Sequence, residues 1–150
     1  RDVRRGAAWA LGELRDPRAT GALRERLQDA EPCVRYEAAL ALRWICDPLT
    51  IDPLVEALGS GDCRMRKNAA RALGAFRERR VVAALVGALK DPEKDVRLAA
   101  VRSLGLLRDG EAFDHLLEVL NDLEDAEVQK AAREAMQMIR LPHASPVLGG

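Results

Sequence analysis

The chain has 150 residues, one domain's worth, and balances 24 basic against 24 acidic side chains for a formal net charge of zero. That balance argues against a dedicated nucleic-acid binder, whose affinity rests on neutralising phosphates. Aromatics are only 3% of a chain that is 48% apolar, so the core has to be Ala, Leu and Val in closely packed helices, and the longest uncharged run (141–150) is about half what a membrane-crossing helix needs.

A unit of 31 residues recurs from end to end. Val3-Arg4, Val34-Arg35, Met65-Arg66, Val96-Arg97 and Val128-Gln129 open successive copies at spacings of 31, 31, 31 and 32. A period of this size marks a solenoid. The repeats run approximately 2–33, 34–64, 65–95, 96–127 and a partial 128–150, a single domain that reads as a fragment of a longer chain.

The second repeat shows why each unit holds two helices. Val34, Ala38, Leu42 and Ile45 fall on one face of an α-helix, and Asp47-Pro48 then breaks it. Ile51, Leu54, Val55 and Leu58 follow at i, i+3, i+4 and i+7, and Gly59–Gly61 ends that second helix. In chain order the pattern predicts first helices over 2–14, 33–45, 64–76, 94–107 and 126–139. Second helices are predicted over 17–28, 48–59, 79–90 and 110–121, with 143–148 opening a fifth, since Leu148 falls in the Leu116 column. The fold class is therefore all-α, a right-handed α-α superhelix of about 4.5 stacked hairpins.

Columns assign roles. Ala7, Ala38, Ala69, Ala100 and Ala132 form a small-residue core column where helices approach closely, and Leu14, Ile45, Phe76, Leu107 and Ile139 form another. Gly12, Gly74 and Gly105 recur inside the first helices and read as packing contacts between hairpins. Repeat two breaks that column with Arg43, and has Cys46 where Arg15, Arg77 and Arg108 stand. Arg4, Arg35, Arg66 and Arg97 read as a structural ladder, each bridging to an acidic turn residue of a neighbouring repeat. Asp16, Asp47, Glu78 and Asp109 are the expected acidic column.

The text D/E-x-x-VR-x-x-AA-x-ALG-x-L, then a D-P-type turn and a helix ending in L-x-x-x-L-x-D, resembles the HEAT-like repeat of phycobilisome lyases. The nearest copies are VRRGAAWALGELRDPRATGALRERLQD and DVRLAAVRSLGLLRDGEAFDHLLEVLND. The resemblance covers almost the whole chain and speaks to fold more than to function. It implies a binding scaffold first, and a subunit of a bilin-lyase-type enzyme as the alternative.

Chemistry-bearing constellations are few. HEAT-like deoxyhypusine hydroxylase binds iron through His-Glu dipeptides; this chain has none, and His115 and His143 are its only histidines. No nucleophile-elbow or P-loop motif occurs, and Cys33, Cys46 and Cys63 are odd in number without CxxC spacing. No catalytic, cofactor or metal residue is assigned. The candidate partner site is an apolar stripe where a solvent face is expected: Trp9 shares a column with Leu40, while Tyr36, Leu40 and Trp44 run at i, i+4 and i+8. Its expected partner is a protein or peptide, or a second copy of the chain, in the cytoplasm. Arg64–Arg80, with seven basic residues and one acidic, is the place nucleic acid would bind if it did; Asp109–Glu127 carries eight acidic residues and no Lys or Arg.

Overall fold

The computed structural model describes residues 2–122 and 125–141, with the side chain of Asp122 excepted. The expected start of a fifth second helix at 143–148 lies outside the described residues. First helices are α1 (Asp2–Leu14), α3 (Pro32–Ile45), α5 (Cys63–Leu73), α7 (Lys94–Leu107) and α9 (Ala126–Arg140). Second helices are α2 (Thr20–Arg26), α4 (Ile51–Ala57), α6 (Arg79–Ala88) and α8 (Glu111–Asp122). No strand occurs among the described residues.

Local chemistry explains the boundaries. Asp16 and Asp47 accept from the amides of Arg18 and Leu49, and Pro17 and Pro48 follow them at the first helical position. These two turns are 3-10 (Pro17–Ala19 and Pro48–Thr50), so α2 and α4 start later than the periodicity predicts. The first helix of repeat three is also shorter than predicted. It ends at Leu73, and the tighter bonds Ala75 N to Ala72 O and Phe76 N to Leu73 O replace its last turn.

Three first helices stop on a left-handed residue that is not glycine: Arg15 (φ 48°), Cys46 (φ 52°) and Arg108 (φ 53°). A Cβ in that region costs about 1 kcal/mol. Arg108→Gly is therefore expected to stabilise the fold by about 0.5–1 kcal/mol, after the glycine's greater freedom in the unfolded chain is deducted. A melting curve shifted upward by about 2–4 °C is the readout, and an unchanged or lower midpoint refutes the strain.

The helices form two layers. First helices stack side by side in the order α1, α3, α5, α7, α9, and each second helix packs chiefly on the first helix of the following repeat. The main seam thus lies between repeats rather than within the predicted hairpin. Leu23, Leu54, Leu85 and Leu116 are all fully buried in it, as are Val34, Leu42, Leu73, Val96 and Leu104. Cys33, Cys46 and Cys63 are free thiols.

This arrangement corrects one expectation. Ala38, Ala69, Ala100 and Ala132 are fully buried, but Ala7 of the same column is exposed. Val3 is 84% exposed and Leu14 72%, where Val34 is 0% and Phe76 5%. In later repeats a preceding second helix covers these positions; none packs on that side of α1 among the described residues. Val3, Ala7 and Leu14 are therefore exposed here, where their column-mates are buried.

Candidate functional site

The glycine column makes the packing contacts expected of it. A Cβ at Gly12 would lie 2.8 Å from Cα and Cβ of Ala41 and 3.0 Å from Cε3 of Trp44. At Gly105 it would lie 2.9 Å from Cα and Cβ of Ala135, and at Gly74 2.7 Å from Oγ of Ser103. The first helices therefore touch through glycine, which sets the spacing of everything on the outer face.

The predicted stripe divides on that surface. Trp9 is 52% exposed; Tyr36, Leu40 and Trp44 are half-buried. Trp44 lies across Gly12, so much of its ring belongs to the α1–α3 seam. Trp9 and Leu40 occupy the position that is Arg71 and Arg102 in the next two repeats, both of them exposed. Leu106 is 45% exposed, whereas Leu98 is buried. The open strip Val3, Ala7, Leu14 enlarges the apolar area of α1.

Arg43, the intruder in the glycine column, reaches an outer depression of about 370 Å³ with Lys67, Arg71, Asp95, Arg102 and Glu127. Three of its charges are matched: Lys67 and Asp95 pair at 2.9 Å, and Glu127 pairs with Lys94 at 2.6 Å. Of the seven basic residues of 64–80, Lys67 and three arginines hold carboxylates. Arg66 pairs with Asp91, Arg79 with Glu111 at 2.7 Å, and Arg80 with Glu78 at 2.9 Å. Cations already holding carboxylates give weak support to a phosphate-binding surface.

Among the described residues, three of the four ladder arginines pair with an acid, and none with the predicted acidic column. Arg4 pairs with Asp29 at 3.1 Å, Arg35 with Asp62, and Arg66 with both oxygens of Asp91 at 2.8 and 3.1 Å. Arg35, Arg66 and Arg97 also donate to carbonyls of the turn before their own helix. Asp16, Asp47 and Asp109 instead cap the second helices, and Glu78 pairs with Arg80. The reason is distance. The ladder arginines sit at the start of a first helix, and the predicted acids sit beyond its far end, about 17 Å away at 1.5 Å per residue. Burial raises the Asp91 pKa, but the bonds from Arg66 and the Glu93 amide outweigh it and hold the carboxyl below its ordinary value. Asp62 is lowered in the same way, with the Arg64 amide and Arg35 overcoming burial.

A family of HEAT repeats matches residues 1–64 and 51–137. The chain belongs to the HEAT-repeat family. No curated protein matches it. Among solved structures it is similar to the complex of CpcE and CpcF of phycocyanin lyase from Nostoc sp. PCC7120: 24% identity, TM-score 0.76, 93% of this chain and 60% of that one. It is also similar to a designed armadillo repeat protein in complex with the peptide (KR)4, at 20% identity and TM-score 0.65, covering 92% of this chain and 76% of that one. Human deoxyhypusine hydroxylase matches at 18% identity and TM-score 0.53, over 91% of this chain and 78% of that one. The HEAT-repeat chain thus spans about 60% of the lyase chain it resembles.

These likenesses establish an all-helical HEAT-repeat scaffold of the armadillo-like solenoid kind. No group of three or more metal-ligating side chains converges among the described residues. His115 stands exposed with Nδ1 3.9 Å from a Glu118 oxygen, and His143 lies outside the described residues. No described helix is long and apolar enough to cross a membrane.

Proposed function

We propose that this HEAT-repeat stack is a scaffold that docks a protein partner on the outer face of its first-helix layer, around Trp9, Tyr36 and Leu40. The exposure of Trp9 carries the reading. A tryptophan more than half open to water, beside half-buried Tyr and Leu, is the composition that dominates binding energy at protein interfaces. The peptide complex of the designed armadillo protein supports a protein or peptide as the occupant.

The experiment compares parent, Trp9→Ala and Leu40→Glu in partner capture with mass-spectrometric identification and in sedimentation equilibrium. Trp9→Ala is expected to abolish capture or dimerisation while changing stability by no more than about 0.5 kcal/mol, as for an exposed site. Retention of every partner and of the parent's mass by both variants refutes the patch. Trp44→Ala is a poorer probe, because Trp44 also fills the seam against Gly12.

The lyase likeness favours one second reading, a subunit of a bilin-lyase-type enzyme in which docking joins it to a partner subunit. A long-wavelength absorption band retained by the protein after incubation with a bilin would support it. Its absence with the partner subunit present would remove it.

A further inference from the structure

The outer face of the first-helix layer changes chemistry partway along the stack. One of its columns reads Trp9, Leu40, Arg71, Arg102 and Glu134 from α1 to α9. Trp9 is exposed and Leu40 half-buried, while Arg71 and Arg102 are both exposed. The apolar part is the proposed docking surface. The cationic part begins on the same helix, because Arg43 follows Leu40 by three residues on α3 and neighbours it on the helix surface. The two parts therefore adjoin.

Arg43 stands where packing asks for glycine. At the matching positions Gly12, Gly74 and Gly105, a Cβ would come within 3 Å of the next first helix. An arginine cannot enter so narrow a seam, and the Arg43 side chain instead lines the depression outside it. Arg43, Lys67, Arg71 and Arg102 face only Asp95 and Glu127 there. Both carboxylates are already engaged, Asp95 by Lys67 at 2.9 Å and Glu127 by Lys94 at 2.6 Å. Lys67 is the main cause of the lowered Asp95 pKa, and Lys94 and Arg102 add smaller pulls. The side chains of Arg43, Arg71 and Arg102 hold no carboxylate among the described residues. In the repeat register Arg102 matches Glu134, ten residues after Glu124 and twelve after Asp122, so the register sets neither of those acids against it.

This combination suits a protein segment better than a nucleic acid. Phosphate backbones are held by cations alone, without an aromatic and aliphatic surface at one end. Leu98, Ala99 and Leu106 add apolar ground to the depression itself. Protein hot spots combine aromatic anchors with arginine, and a guanidinium binds a carboxylate through two parallel donors.

We infer, resting on the proposed docking surface, that the segment docked there is acidic. Its apolar side chains sit on Trp9 and Leu40, and the carboxylates that follow them are held by Arg43, Arg71 and Arg102.

Fluorescence anisotropy at low salt tests this with a labelled synthetic peptide in which leucines are followed by glutamates. The same peptide with glutamine for glutamate is the uncharged control, and a labelled single-stranded DNA represents the other class of anion. The parent should bind the glutamate peptide about tenfold or more tightly than the glutamine one, and added salt should shrink the difference. Arg71→Glu with Arg102→Glu should abolish that preference and favour the lysine version of the peptide instead. Arg71→Gln with Arg102→Gln, which puts no new charge beside Asp95, should abolish it too. Trp9→Ala should weaken both peptides alike. Failure of the glutamate peptide to bind the parent, or equal affinity for the two peptides, overturns the inference; docking at Trp9 is then decided by partner capture alone. Binding that Trp9→Ala leaves intact shows that charge alone holds the peptide, and overturns the joined surface. DNA bound more tightly than the glutamate peptide, and lost in the same arginine variants, overturns the choice of a protein.

Discussion

Asp91→Ala is expected to lower the unfolding free energy by about 3 kcal/mol, the scale for leaving a buried charge without its partner. The Asp91 side chain is 9% exposed and the Arg66 side chain 13%, and the pair is bidentate. Asp91 also caps the Glu93 amide at 2.9 Å, so alanine removes that bond too. The neighbouring exposed pair Lys67–Asp95 is the control, with side chains 33% and 67% exposed. Water screens it, and Asp95→Ala should cost far less than Asp91→Ala. Equal costs in urea denaturation would show that the ladder is solvated after all. Arg66→Met with Asp91→Leu should recover much of the loss, because no charge then remains buried. The pH dependence has a definite sign. Asp62 and Asp91 have folded pKa values below the ordinary carboxylate value. Their contribution is complete above that value, near pH 4, and is lost as pH falls through the lower folded values. The difference between parent and Asp91→Ala should therefore close below about pH 4 and stay constant above it.

The repeat makes the fold legible because a column averages over five copies what one segment leaves ambiguous. Ala38, Ala69, Ala100 and Ala132 could each be surface alanines alone; at one register they define a seam. Columns carry no information about what is absent, so Ala7 and Leu14 read as core although no helix covers them. Nor do they show where a long side chain ends. Arg66 reaches back past its own helix start to Asp91 rather than forward to Glu78, a choice set by helix length. Trp9 was visible as a candidate because it breaks a column that holds Arg71 and Arg102. Trp44 looked equivalent, yet Gly12 opens a slot that takes up its ring.

The glycines separate packing from propensity, and Gly105→Ala and Gly87→Ala should shift stability in opposite directions. Neither glycine has a positive φ, so alanine suits both backbones and brings a helix-propensity gain of about 1 kcal/mol. At Gly87 the new methyl meets nothing within 4 Å, and the gain is kept as about 0.5–1 kcal/mol of added stability. At Gly105 the methyl would lie 2.9 Å from the Cα of Ala135, well inside the roughly 3.5–4.0 Å of carbon contact. That neighbour is backbone on α9 and yields only if the helix moves. Overpacking of this kind costs about 1–3 kcal/mol, which leaves a net loss of up to about 2 kcal/mol after the propensity gain. Gly12→Ala, facing Cα of Ala41 at 2.8 Å, should behave like Gly105→Ala. Gly74→Ala should fare worse than its propensity suggests, because it strikes Ser103, whose hydroxyl donates to the Ala70 carbonyl at 2.7 Å inside the core. Thermal melts of the four variants decide the matter. Stabilisation by Gly105→Ala would mean that the first helices have room to spare, and the glycine column would then be a habit of the sequence and not the determinant of repeat spacing.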